Sequence, residues 1–218
     1  MLVINKEDTT TPPKTQAQRT ALSDSKMLEA AVHLICELGV PSTTLKAVGE
    51  NAGYSRGLAS YRFGNKDGLL TFVVRSIGDR WLETLQTAVS DKVGLLAIEA
   101  ATDAHQQFLA SKDIAIRAFY LLWFESINSE SDLKSLILKI QERRRTDVRE
   151  WIQKGISSGE TDPKICVSSA TEHFCSSIIG IVYEWLMARG SNQRRIIYHH
   201  KVLKEQMALT LTSLINRD

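Results

Sequence analysis

The chain has 218 residues, 43% of them hydrophobic and 24% charged, which is enough to bury a core without disulfides or metals and excludes wholesale disorder. Lys and Arg number 27 against 25 Asp and Glu, so any nucleic-acid site must concentrate its basic residues locally. Cys36, Cys166 and Cys175 form no Cys-x-x-Cys pair, as fits a reduced cytosol. The amino terminus lacks the apolar core of a signal peptide, and the longest apolar stretch, 178–187, contains Gly180 and Glu184 and is too short to span a bilayer. A cytoplasmic protein with no membrane partner is expected.

Residues 5–20 are polar, carry Pro12 and Pro13 and show no apolar period, so a disordered arm is expected over 1–20. Lys6, Lys14 and Arg19 against Glu7 and Asp8 give it little charge for groove binding. A helix follows, with Ser23 or Asp24 as its N-cap and Leu28, Ala31, Val32, Ile35 and Leu38 on one stripe. Gly39 and Pro41 end it. A short second helix runs from Thr43 or Thr44 to Asn51, Gly53 makes a tight turn, and a third helix starts at the natural N-cap Ser55 and ends by Phe63-Gly64. Further stripes predict a long helix through Leu70, Ile77 and Trp81, then helices over about 91–110, 112–128, 130–158, 165–189 and 195–216. No alternating run suggests a strand. The fold class is all-α with about nine helices, divided into a three-helix helix-turn-helix domain at 21–81 and a larger helical domain at 82–218.

The helix-turn-helix occupies Thr44 to Phe63, TLKAVGENAGYSRGLASYRF. Gly49 must be small where the two short helices cross, and Val48, Ala52 and Leu58 fix that crossing. Between Ser42 and Lys66 stand Lys46, Arg56, Arg62 and Lys66 against Glu50 alone, the local excess that phosphate neutralisation requires. Arg56 is the only long donor at the start of the third helix. Ser55 leaves that helix's positive N-terminus facing a phosphate.

Residues 22–70 resemble the DNA-binding domain of the TetR family of bacterial repressors, and 63–70, FGNKDGLL, is similar to the branch containing the choline-responsive repressor. Gly49, Tyr54, Ala59 and Arg62 depart from the residues usual in that family. The resemblance implies that Thr44, Lys46, Ser60, Tyr61, Arg62 and Lys66 hold phosphates, while Tyr54, Arg56, Gly57 and Leu58 face base edges. It also implies a homodimer on a palindromic operator, released by a small, largely apolar effector bound in the helical domain. Trp81, Phe108, Trp123, Phe124, Trp151 and Tyr183 are the expected pocket residues, with Glu125, Glu172 or Glu184 available to favour a cation if one faces the pocket. Ser176, Ser177 and Gly180 allow close approach of two helices, and with Ile181, Met207, Leu211 and Leu214 they form the expected dimer face.

No two of the five histidines stand at i, i+4, so no metal site is expected. With no phosphate loop, dinucleotide fingerprint or nucleophile elbow, neither a cofactor nor an enzymatic activity is expected. The competing reading is a helical carrier or enzyme with a vestigial helix-turn-helix. The run Arg143-Arg144-Arg145, beside Glu142, Asp147 and Glu150, reads as a solvated helix face.

Overall fold

The computed structural model describes residues 15–128, 130–188 and 193–212, which form nine α-helices and one short 3₁₀ turn. The helices are α1 (Gln16–Ser42), α2 (Leu45–Asn51), α3 (Arg56–Phe63), α4 (Lys66–Val89), α5 (Gly94–Ala110), α6 (Ile114–Glu125), α7 (Asp132–Ser158), α8 (Val167–Met187) and α9 (Gln193–Thr212), with the 3₁₀ turn at Ser126–Asn128. No strand occurs among the described residues, and none of their helices is long and apolar enough to cross a membrane.

One expectation fails at the amino terminus. Residues 16–20 are helical, because Thr15 builds a capping box: its hydroxyl accepts from the Gln18 N–H at 3.2 Å and the Gln18 side chain accepts from the Thr15 N–H at 2.9 Å. The first fourteen residues of the expected arm lie outside the described residues. Gly39, at φ 80°, breaks α1 before Pro41, and the Thr43 hydroxyl donates back to the Gly39 carbonyl at 3.1 Å.

The following segments obey their caps. Thr44 accepts from the Ala47 N–H, Ser55 from the Leu58 N–H and Asn65 from the Gly68 N–H, each cap contributing about 1 kcal/mol. A Cβ on Gly49 would lie 2.9 Å from the Ser55 carbonyl oxygen, so the α2–α3 crossing does require a residue without a side chain.

One continuous core runs from α1 to α9. Val48, Ala52 and Ala59 of the helix-turn-helix, Leu69, Val73 and Ile77 of α4, and Leu203, Met207 and Leu211 of α9 are all buried in it. α1 packs on α6 as well as on α2 and α4, so the division expected near residue 81 is bridged by packing. A second tie is polar. Asp67, in the first turn of α4, accepts from the Asp132 N–H at 2.8 Å and the Leu133 N–H at 3.3 Å, capping the start of α7 across the boundary. α5 and α7 cross with backbones in contact at Gly94 and Gly155.

Candidate nucleic-acid interface and ligand cavity

α3 presents one face to solvent. Arg56, Gly57 and Tyr61 are exposed, Tyr61 by 84%. Lys46 on α2 is exposed and only 3.9 Å from Glu50, a surface pair of little strength. Thr44 and Ser55 are exposed but their hydroxyls are committed to capping; Ser60 is half-buried.

Four expected DNA contacts are placed otherwise. Arg62 turns back onto α1, pairing with Asp24 at 2.8 Å and donating to the Thr20 carbonyl at 3.3 Å. The Lys66 ammonium donates to the carbonyls of Val40 at 2.7 Å and Pro41 at 3.0 Å at the end of α1, where Val40 also accepts the Thr43 N–H at 3.1 Å. Both side chains therefore hold α1 against the motif. Leu58 and Tyr54 are half-buried against the core, with Lys26 6.0 Å from the centre of the Tyr54 ring. They set the position of α3, and Arg56 is the long donor left on its outer face.

A cavity of about 260 Å³ lies among α4, α5, α6, α7 and α8. Trp81 and Trp151 line it. Phe108 instead stacks on Trp81 at 4.5 Å between ring centres; Trp123 and Phe124 pack in the core, and Tyr183 is 53% exposed on α8. None of these four lines the cavity. Neither do the three expected glutamates: Glu172 pairs with Arg145 at 2.9 Å and Glu184 with Arg195 at 3.0 Å.

Residues that the sequence did not single out take their place. His105 and Tyr120 line the cavity and are buried. The Ile196 carbonyl accepts from His200 Nδ1–H at 2.7 Å, so a neutral His200 offers Nε2 to His105 Nδ1–H at 2.9 Å. His105 Nε2 in turn accepts the Tyr120 hydroxyl at 3.1 Å. Burial, then His200 and Arg144, hold His105 well below the usual imidazole range. Burial lowers His200 as well and pushes the Tyr120 phenol up to about 12. The relay is neutral, and it joins the cavity wall to α9. No cluster of three or more His, Cys, Asp or Glu capable of holding a metal occurs among the described residues.

Residues 27–71 match the family model for bacterial regulatory proteins of the tetR family. That match covers the helix-turn-helix and the start of α4. The chain is 32% identical over 109 residues to the HTH-type transcriptional regulator BetI of Burkholderia ambifaria, a match covering 48% of this chain and 55% of that protein. It thus spans about half the length of the curated relatives it matches. The helical layout extends further. A TetR transcriptional regulator from Chloroflexus aurantiacus superposes with a TM-score of 0.75 at 14% identity, covering 88% of this chain and 98% of that one. FadR from Bacillus subtilis, solved with stearoyl-CoA, gives 0.70 at 18% identity, covering 84% and 96%.

Beyond the matched segment, the expected dimer face divides. Ile181, Met207 and Leu211 are buried in the chain's own core, because the apolar stripes of α8 and α9 first close the monomer. Leu214 lies outside the described residues. Ser176 and Gly180 are exposed, Ser177 is half-buried, and the same stripe of α8 continues through Tyr183 and Met187. Tyr198 and Leu209 are exposed on α9.

Proposed function

We propose that the chain is a ligand-responsive transcriptional regulator, a repressor that binds a palindromic operator as a homodimer and releases it when a small molecule fills the cavity. The observation that carries this reading is α4. Its first turn supplies Lys66 and Asp67, which tie the helix-turn-helix to α1 and to α7, while Val74, Gly78, Trp81 and Leu85 line the cavity. A ligand that fits only a shifted α4 lowers operator affinity by the factor with which DNA lowers ligand affinity, about 1–3 kcal/mol in systems of this kind. The stearoyl-CoA complex of the Bacillus FadR neighbour supports small-molecule control of such a layout.

On this reading Arg56 reads a base and Lys46 holds a phosphate. Selection from random duplexes should return a palindrome whose half-sites lie about one helical turn apart. Arg56→Ala should cost about 1–3 kcal/mol and relax one base position per half-site, whereas Lys46→Ala should weaken all sequences alike and reduce the salt slope. Recovery of no palindrome, or unchanged base preference in Arg56→Ala, counts against the assignment.

The dimer is built on the exposed stripe Ser176, Gly180, Tyr183 and Met187 with Tyr198 and Leu209, and each copy presents the same patch. Sedimentation at micromolar concentration should give twice the 24.4 kDa chain mass, and Gly180→Arg should return it to the single mass. A wild-type chain that sediments as a monomer is incompatible with the proposal.

A further inference from the structure

The regulator reading leaves the chemistry of its effector open, and the cavity wall bears on it. Four basic side chains line the cavity, Arg75, Lys139, Arg143 and Arg144, against Asp79 and Asp147. Arg143 and Asp147 pair at 2.7 Å, while Arg75, Asp79 and Lys139 are exposed to solvent. Arg144 differs from all of these. It is half-buried, and among the described residues no carboxylate or other hydrogen-bond acceptor partners its guanidinium. Its guanidinium carbon lies 5.0 Å from the centre of the Trp123 ring, and its charge is felt by His105 and Tyr120. That ring attracts the cation yet leaves five N–H donors without an acceptor.

An unpaired guanidinium in a largely apolar wall favours an anion, because fewer waters screen it there than at the surface. Its planar fork matches the two oxygens of a carboxylate. The rest of the lining is hydrocarbon and ring: Trp81, Leu136, Trp151, Phe174 and Ile178 among others. At about 30 Å³ per water in the liquid, the volume holds roughly nine non-hydrogen atoms.

Resting on the regulator reading, we propose that the effector is a small monocarboxylic acid whose carboxylate is held by Arg144 and whose apolar body lies among Trp81, Trp151 and Phe174. This reverses the sign of the charge that the neighbouring glutamates suggested from sequence.

Isothermal titration of the full chain with hexanoate, octanoate and phenylacetate, each matched by its alcohol and its amine, tests the proposal. At least one acid should bind about tenfold or more tightly than its alcohol, and its amine should bind more weakly still. In Arg144→Met the preference for acid over alcohol should collapse towards one while alcohol affinity changes by less than about twofold. Arg144→Lys should keep part of it. If Arg144→Met does not fold, the matched series on the wild-type chain decides alone. Equal or tighter binding of alcohols or amines, binding of no acid, or an acid preference that survives in folded Arg144→Met overturns the proposal. Release of the selected operator duplex separates the two readings. Acids that bind without releasing DNA leave the cavity chemistry standing and remove the coupling. Alcohols or amines that release DNA while acids do not leave the regulator standing and sink the acid.

Discussion

Gly155→Ala should lower the melting temperature by roughly 2–12 °C. The added Cβ would land on the Cα of Gly94, 2.8 Å from the Gly94 nitrogen and 2.5 Å from Thr161 Oγ1. Two of these atoms are backbone, so relief requires α5 and α7 to separate. Overpacking of this kind costs up to about 3 kcal/mol, and a chain of this size loses about 2–4 °C per kcal/mol. Gly78→Ala is the control. There the new Cβ meets Phe119 at 3.6 Å, an ordinary contact, and the helix interior gains about 0.5–1 kcal/mol. Calorimetry showing Gly155→Ala as stable as wild type would mean that α5 and α7 do not touch.

The second large effect comes from the buried relay. His105→Leu leaves His200 Nε2 and the Tyr120 hydroxyl without their partner. Each orphaned group costs about 1–3 kcal/mol, so urea unfolding should show a loss of about 2–6 kcal/mol near pH 7.5. The pH dependence has a definite sign. Both imidazoles have folded pKa values below that of the unfolded chain, near 6.5. Their contribution is complete above that value and is lost as pH falls through it towards the folded pKa, by at most about 1.4 kcal/mol per pH unit for each histidine. In His105→Leu the slope between pH 7 and 5 should be visibly shallower. A slope unchanged by the substitution would show that His105 carries no part of it.

What the sequence revealed and what it concealed follow the range of the interactions. Thr44, Ser55, Gly39 and Gly53 act on backbone within four residues of themselves, so the caps, the turn and the helix-turn-helix are legible from local spacing. Arg62 and Lys66 are not, because their partners Asp24, Val40 and Pro41 lie 25 or more positions away. The His105–His200 pair spans 95 positions. Apolar periodicity identified the stripes of α8 and α9 but could not say that Ile181, Met207 and Leu211 cover their own chain, which depends on the helices opposite them. The arginine run shows the same limit at close quarters. Successive helical residues diverge in direction, so Arg143 reaches Asp147, Arg145 reaches Glu172, and Arg144 enters the cavity. A single label for the run concealed three roles.

The Asp67 cap on α7 bears on how freely the helix-turn-helix could be exchanged between chains of this layout. The helix-turn-helix looks portable, since its turns and caps are internal. Yet one carboxylate just beyond it accepts two N–H groups of a helix that begins at residue 132. A graft that replaces everything up to Asn65 keeps this acid with its own α7. A graft carried a few residues further imports a foreign side chain at that position, and α7 then starts with bare N–H groups unless the donor also has an acid there. The seam for building chimaeras therefore lies before the start of α4, although the helix itself reads as a continuous shaft suited to being cut anywhere along its length.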